Sequence, residues 1–155
     1  MGTLCVDPGA KPGFCYVEDG AIISATFVPD EFDDMHFDEV VHEAQHSASH
    51  LYRNGRRVAI GRKSQSTLSF TAGRLFERFT AERKYRILPD AWRRVLWPGA
   101  SRLTKPVVLA RLRAEYNTLV EHLPKGHQPD VLEAVGIATA WSRLTQAQKA
   151  QYECR

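Results

Sequence analysis

Near the start of the chain an apolar run ends in an aspartate, Leu4-Cys5-Val6-Asp7-Pro8-Gly9, and near its end two acids open a helix-like segment, Asp130-Val131-Leu132-Glu133. A carboxylate delivered to the end of a buried strand is costly to desolvate unless something positive sits against it. A metal ion can be that partner. Residues three apart share a helix face, so Asp130 and Glu133 can point at one spot. With Asp7 they make an oxygen-only ligand set suited to one or two hard divalent cations. Each feature also has an ordinary explanation. Asp7 can cap the Pro8-Gly9 turn, and acids in a first helical turn answer the macrodipole and the free N–H groups.

The elements that must position these groups follow from periodicity. Three short strands are expected at about residues 3–7, 13–18 and 21–28, joined by tight turns such as Glu18-Asp19-Gly20. An acidic linker from Pro29 to Asp34 follows. Phe37, Val40, Val41, Ala44, Ala48, Leu51 and Tyr52 fall on one helical face, which predicts a helix from about Asp38 to Arg53, stopped by Asn54-Gly55. Strand four is then Arg57-Val58-Ala59-Ile60-Gly61. A second helix carries Leu68, Ala72, Leu75, Phe76 and Phe79, and strand five spans Tyr85 to Leu88. A short helix after Pro89, a long one from Pro106 to His122 and a last one from Pro129 to Leu144 complete the chain. Strands separated by helices run parallel. The expected class is therefore α/β: a mixed five-stranded sheet, strands 1–3 an antiparallel meander and strands 1, 4 and 5 parallel, with helices on both faces.

A strand ending in Asp-Pro-Gly before a Gly-aromatic hairpin, and a late helix starting Asp130-x-x-Glu133-Ala134-x-Gly136-x-Ala138, resemble the RuvC-like Holliday junction resolvases, in particular their small phage-type branch. Arg86-Ile87-Leu88-Pro89-Asp90-Ala91-Trp92-Arg93 resembles that branch's strand and Pro-x-x-Trp-basic segment, and Lys105 its Pro-Lys or Ser-Lys element. The resemblance runs in order from Leu4 to Arg143. It implies a ribonuclease H-like fold and a homodimeric, Mg²⁺-dependent endonuclease (Mn²⁺ as a possible substitute) that hydrolyses phosphodiesters in four-way DNA junctions. Asp7, Asp130 and Glu133 are then the catalytic and metal-binding residues, Asp7 bridging two ions about 3.5–4 Å apart. The second carboxylate of these enzymes is a glutamate closing the fourth strand, and by the strand assignment above Gly61 stands there. Glu43 or Glu77 are the acids that could substitute. The alternative is a catalytically inactive RuvC-like protein that binds structured DNA or a protein partner.

At 155 residues the chain fits one domain over 1–155. No apolar run approaches the roughly 18 residues of a membrane span and no signal pattern opens the chain, so a cytoplasmic location is expected. Cys5 and Cys15 sit at apolar strand positions, where reduced thiols pack as small hydrophobes. The net charge of +3 hides an asymmetry: residues 1–52 hold one basic and ten acidic side chains, residues 53–155 twenty basic and eight acidic. The basic residues cluster at Arg53–Lys63, Arg83–Arg86 and Arg93–Lys105, interleaved with Ser, Thr and Trp, which is the footprint of a phosphate-backbone binder. Arg62, Lys63, Arg93, Arg94 and Lys105 are the expected DNA contacts. His42, His46 and His50 make a helical i, i+4 stripe, read as solvated rather than as a metal site. His127, just before Asp130, can touch a phosphate or the attacking water or be a plain loop histidine. Phe70, Phe76 and Phe79 are either a dimer face or core.

Overall fold

A computed structural model describes residues 2–44, 50–53, 56–59, 72–100 and 103–154. Strands β1 (Gly2–Asp7), β2 (Gly13–Glu18) and β3 (Ala21–Thr26) form the expected meander, with Cys5 opposite Cys15 and Phe14 opposite Thr26. The β2–β3 turn places Asp19 and Gly20 at φ 49° and 83°. Two consecutive left-handed residues are what a two-residue hairpin turn needs, and Asp-Gly supplies them at little cost. A 3-10 turn at Pro29–Phe32 leads into β4 (His36–Glu43), which runs parallel to β1 with Val6 beside His42. Strands β5 (His50–Arg53) and β6 (Arg56–Ala59) pair antiparallel in a separate ribbon. Helix α1, described over 72–78, precedes β7 (Thr80–Ile87), which is parallel to β4. Helices α2 (Pro89–Leu96), α3 (Lys105–Val120), α4 (Gln128–Ser142) and the short α5 (Gln146–Lys149) follow. The main sheet has the order β3-β2-β1-β4-β7.

The class is as expected, a mixed five-stranded sheet with an antiparallel meander and three parallel strands, but the fourth strand of the sheet is a different segment. The helix expected from Asp38 to Arg53 is not formed; β4 occupies 36–43 and β5 begins at His50. A central parallel strand is covered on both faces and so loses the two-residue alternation that identifies a half-buried strand. The apolar residues of β4, at 37, 40 and 41, therefore mimic helical spacing, while Phe37 and the Val40-Val41 pair carry strong β preference. The segment expected as strand four contributes β6 to the separate two-stranded ribbon instead. Gly61 lies outside the described residues, and it does not follow the strand that pairs with β1. That position belongs to Glu43.

Alternation along the strands divides the core between the two faces. Cys5, Cys15, Val41, Tyr85 and Ile87 pack with α2, α3 and α4, while Leu4, Val6, Phe14 and Val40 pack with Phe32, Phe37, Leu75 and Phe79. Helices thus cover both faces, with α1 on the second. Helix α4 is the central one, its residues Val131 to Ala138 buried between the sheet and helices α2 and α3. Both Cys5 and Cys15 are buried free thiols, as expected. No helix among the described residues is long and apolar enough to cross a membrane.

Candidate metal centre

Parallel strands β1 and β4 end side by side at Asp7 and Glu43, because the register that pairs Val6 with His42 carries the next two residues to the same edge. On its far side β4 is held by β7, with Glu43 opposite Ile87 and the Ala44 N–H donating to the Ile87 carbonyl at 2.8 Å. Asp130 and Glu133 enter from the first turns of α4. That helix can approach so closely because Gly13, where β2 begins, lies against the Asp130 carbonyl, and any Cβ there would overlap it. One ligand oxygen from each of Asp7, Asp130 and Glu133 lies within 4.8 Å of the others. The expected trio is therefore brought together, with Asp7 4 % and Glu133 2 % exposed.

Crowding of acids in a buried place sets the electrostatics. Burial first, then the charges of Glu43, Glu133 and Asp130, push the Asp7 carboxyl well above its ordinary range. Asp130 is also raised, chiefly by burial, with Lys105 opposing and Glu133 reinforcing. Glu43 is pushed up to about 7 by burial, although the Trp92 indole N–H donates to its Oε2 at 2.7 Å. Among the described residues, Arg93 and Lys105 reach the two Glu133 oxygens at 3.3 and 3.1 Å. Asp7 Oδ2 is buried with no hydrogen-bond partner among the described residues. An orphaned carboxylate oxygen is expensive without a counter-charge, and it faces an all-oxygen donor set of the kind hard divalent cations select. The residues fit a hard divalent cation.

Several expected residues have other surroundings. Arg93 is largely buried against Glu133, and its Cζ lies 5.3 Å from the Trp92 ring, so its guanidinium belongs to the acidic cluster. Lys105, at the start of α3, is half exposed beside the same carboxylate, and Arg94 is exposed on α2. Arg62, Lys63, Phe70 and His46 lie outside the described residues. The histidine stripe is not formed: His42 is a strand residue, 2 % exposed, and burial with Lys84 and Arg86 nearby pushes its imidazole down to about 3. His127 stacks on Phe27 at 3.9 Å. Phe79 is core, and Phe76 packs against His42. Glu77 is exposed on α1. The carboxylate that sequence reasoning misplaced is Glu43. Its signal was the β-branched Val40-Val41 pair just before it, together with Trp92, whose indole fixes its orientation.

This sheet order, with its antiparallel meander, three parallel strands and helices on both faces, is that of a ribonuclease H-like fold. Among solved structures the chain is similar to Thermus thermophilus RuvC in complex with a Holliday junction substrate, at 16 % identity and a TM-score of 0.52 over 92 % of this chain and 95 % of that one. A second Thermus thermophilus RuvC structure matches at 16 % identity and a TM-score of 0.51, covering 99 % of this chain and 100 % of that one. No protein-family model and no curated protein sequence matches the chain. At this identity the likeness establishes the fold.

Proposed function

We propose that this protein is a divalent-metal-dependent endonuclease that hydrolyses phosphodiesters in branched DNA, four-way junctions above all. One observation carries the reading: Asp7, Asp130 and Glu133 converge within 4.8 Å, and the strand register sets Glu43 beside Asp7. In this reading Glu43 on β4, rather than Gly61, serves as the second carboxylate. Asp7, Glu43, Asp130 and Glu133 hold the cation, which when bound supplies Lewis acidity to the phosphodiester and lowers the pKa of a water. The protein's own part is placement. Trp92 fixes the Glu43 carboxylate, and Lys105, half exposed beside Glu133, offers its ammonium to a phosphate oxygen as charge builds there. Water attacks phosphorus, the P–O bond to the leaving sugar oxygen breaks, and a phosphomonoester and an alcohol remain. The likeness to a RuvC solved with a Holliday junction supports the branched substrate. A homodimer would set two such sites across the junction, with Arg62, Lys63, Arg94 and Lys105 on its phosphates.

A second reading, binding without cleavage, draws on the Arg93 and Lys105 pairs, which already neutralise Glu133. Incubating the protein with an end-labelled four-way junction and Mg²⁺ or Mn²⁺ separates the two. The nuclease reading predicts paired nicks near the branch that vanish with chelator and in Asp7→Asn. Tight junction binding with no product in either metal favours the second reading.

A further inference from the structure

The loop between β1 and β2, Pro8 to Pro12, starts at the carboxylate cluster and stays beside it. Pro8, directly after Asp7, is buried. A Cβ built on Gly9 would lie 3.7 Å from the Asp130 Oδ1, and Gly13, the residue after the loop, rests on the Asp130 backbone. Between these anchors Lys11 is exposed, and its ammonium lies against the α3–α4 turn: a Cβ on Gly126 would sit 3.1 Å from the Lys11 Nζ. Proline at both ends of the loop fixes φ, so the lysine stands on a short, stiff support.

The charge of Lys11 stands apart from its surroundings. It is the one Lys or Arg in residues 1–52, which also hold ten acids. Among the described residues no carboxylate lies within ion-pair distance of it, whereas Arg93 and Lys105 share Glu133 and Lys149 holds Glu39. The lysine is therefore not spent on neutralising the cluster next to it. An unpaired cation beside crowded acids favours an anion that has to come to the same place.

We infer that Lys11 holds a backbone phosphate of the substrate strand, next to the phosphate that meets the carboxylates. The inference rests on the nuclease reading of those carboxylates. Lys105 meets Glu133 in the second turn of α4, whereas Lys11 lies ahead of the first residue of that helix, Gln128. At 1.5 Å per residue the two cations are offset by roughly 7 Å along the helix axis, so they take different phosphates. An ammonium is a point charge with three donors and no acceptor, which suits a phosphate oxygen. Such a contact fixes the strand in register and carries no sequence information.

Neutral phosphates test this without catalysis. A set of four-way junctions, each carrying one uncharged methylphosphonate near the branch, is titrated with wild type and Lys11→Gln in chelator. The expected result is one position at which neutralisation weakens wild type by about threefold to tenfold and leaves Lys11→Gln unchanged. On the unmodified junction Lys11→Gln should bind more weakly, with a slope of log affinity against log salt smaller by about 1, and Lys11→Arg should restore both. Gly126→Ala is a second perturbation, since its Cβ crowds the ammonium and meets nothing else within 4 Å; it should reduce the effect at the same position. Identical profiles for wild type and Lys11→Gln, or equal salt slopes, overturn the contact and leave the nuclease reading standing. A Lys11→Gln protein with a lowered Tm and a loss spread over every position also overturns it, because the lysine then serves the fold. A protein that binds no junction at all overturns both.

Discussion

At the scale of single residues, the acids at the ends of β1 and β4 are stable only in the right company. Asp7 is raised, Asp130 is raised, and Glu43 sits at about 7. A carboxyl whose pKa is higher in the folded than in the unfolded state contributes stability that is complete below its unfolded value of about 4, and that is lost as pH climbs through the folded value. Without metal the protein should therefore lose stability as pH rises through about 7, as the Glu43 value implies. In chelator, Tm should be lower by roughly 4–8 °C at about pH 8 than at about pH 5. Millimolar Mg²⁺ should recover most of that loss, because a cation that binds only the folded state stabilises it by mass action. Thermal melts at both pH values, with and without metal, check the sign. A Tm that rises with pH in chelator would mean that the acids do not crowd one another as described.

At the scale of elements, two glycines bring the site together by letting helices come close. A Cβ at Gly136 would lie 2.8 Å from the Trp92 ring and 3.1 Å from Leu112. Trp92 is fully buried and has no room to retreat. Gly136→Ala gains about 1 kcal/mol of helix propensity, but overpacking costs about 1–3 kcal/mol, so the net effect should be destabilising. Trp92 should also shift off Glu43, lowering cleavage more than junction binding. Gly13→Ala is the harsher change, since its Cβ meets the backbone of Asp130 rather than a side chain; Tm should fall by roughly 6–12 °C. Calorimetry of the two variants beside wild type, with a cleavage assay of each, decides whether the close approach of α4 to α2 and to β2 is what orients the acids.

At the scale of the whole molecule, the charge asymmetry along the chain becomes a surface property. Lys105 stands half-exposed beside a cluster of acids and Arg94 is exposed on α2, and a DNA backbone approaching the site needs a cation between like charges. Reversing Arg94 to Glu should weaken binding to all junction sequences alike and reduce the slope of log affinity against log salt by about 1. A slope equal to that of wild type would remove Arg94 from the interface.

Much of this arrangement is legible in the sequence. The meander was marked by its turns, and Asp7, Asp130 and Glu133 by their places after an apolar run and at the start of a helix. Glu43 was not, for a physical reason: β4 is covered on both faces, so Phe37, Val40 and Val41 keep no two-residue rhythm and match a helical face equally well. Read as helix, that segment leaves a vacancy in the sheet that the short β-rich run at 57–61 fills, and its terminal glycine then stands where the resemblance expects an acid. The burial of His42 is hidden in the same way, since a histidine on a helix stripe faces water and one on a central strand does not.

The claim that Glu43 completes the site is tested most directly by single-turnover cleavage of a four-way junction in Mg²⁺, comparing wild type with Glu43→Gln at matched junction affinity. Glutamine keeps an acceptor for the Trp92 indole N–H and nearly the same shape, but it removes the negative charge. The account predicts that wild type nicks the junction and that Glu43→Gln slows the step at least about a hundredfold, near 2.7 kcal/mol of barrier, while binding is unchanged. A Glu43→Gln protein that cuts as fast as wild type would contradict it.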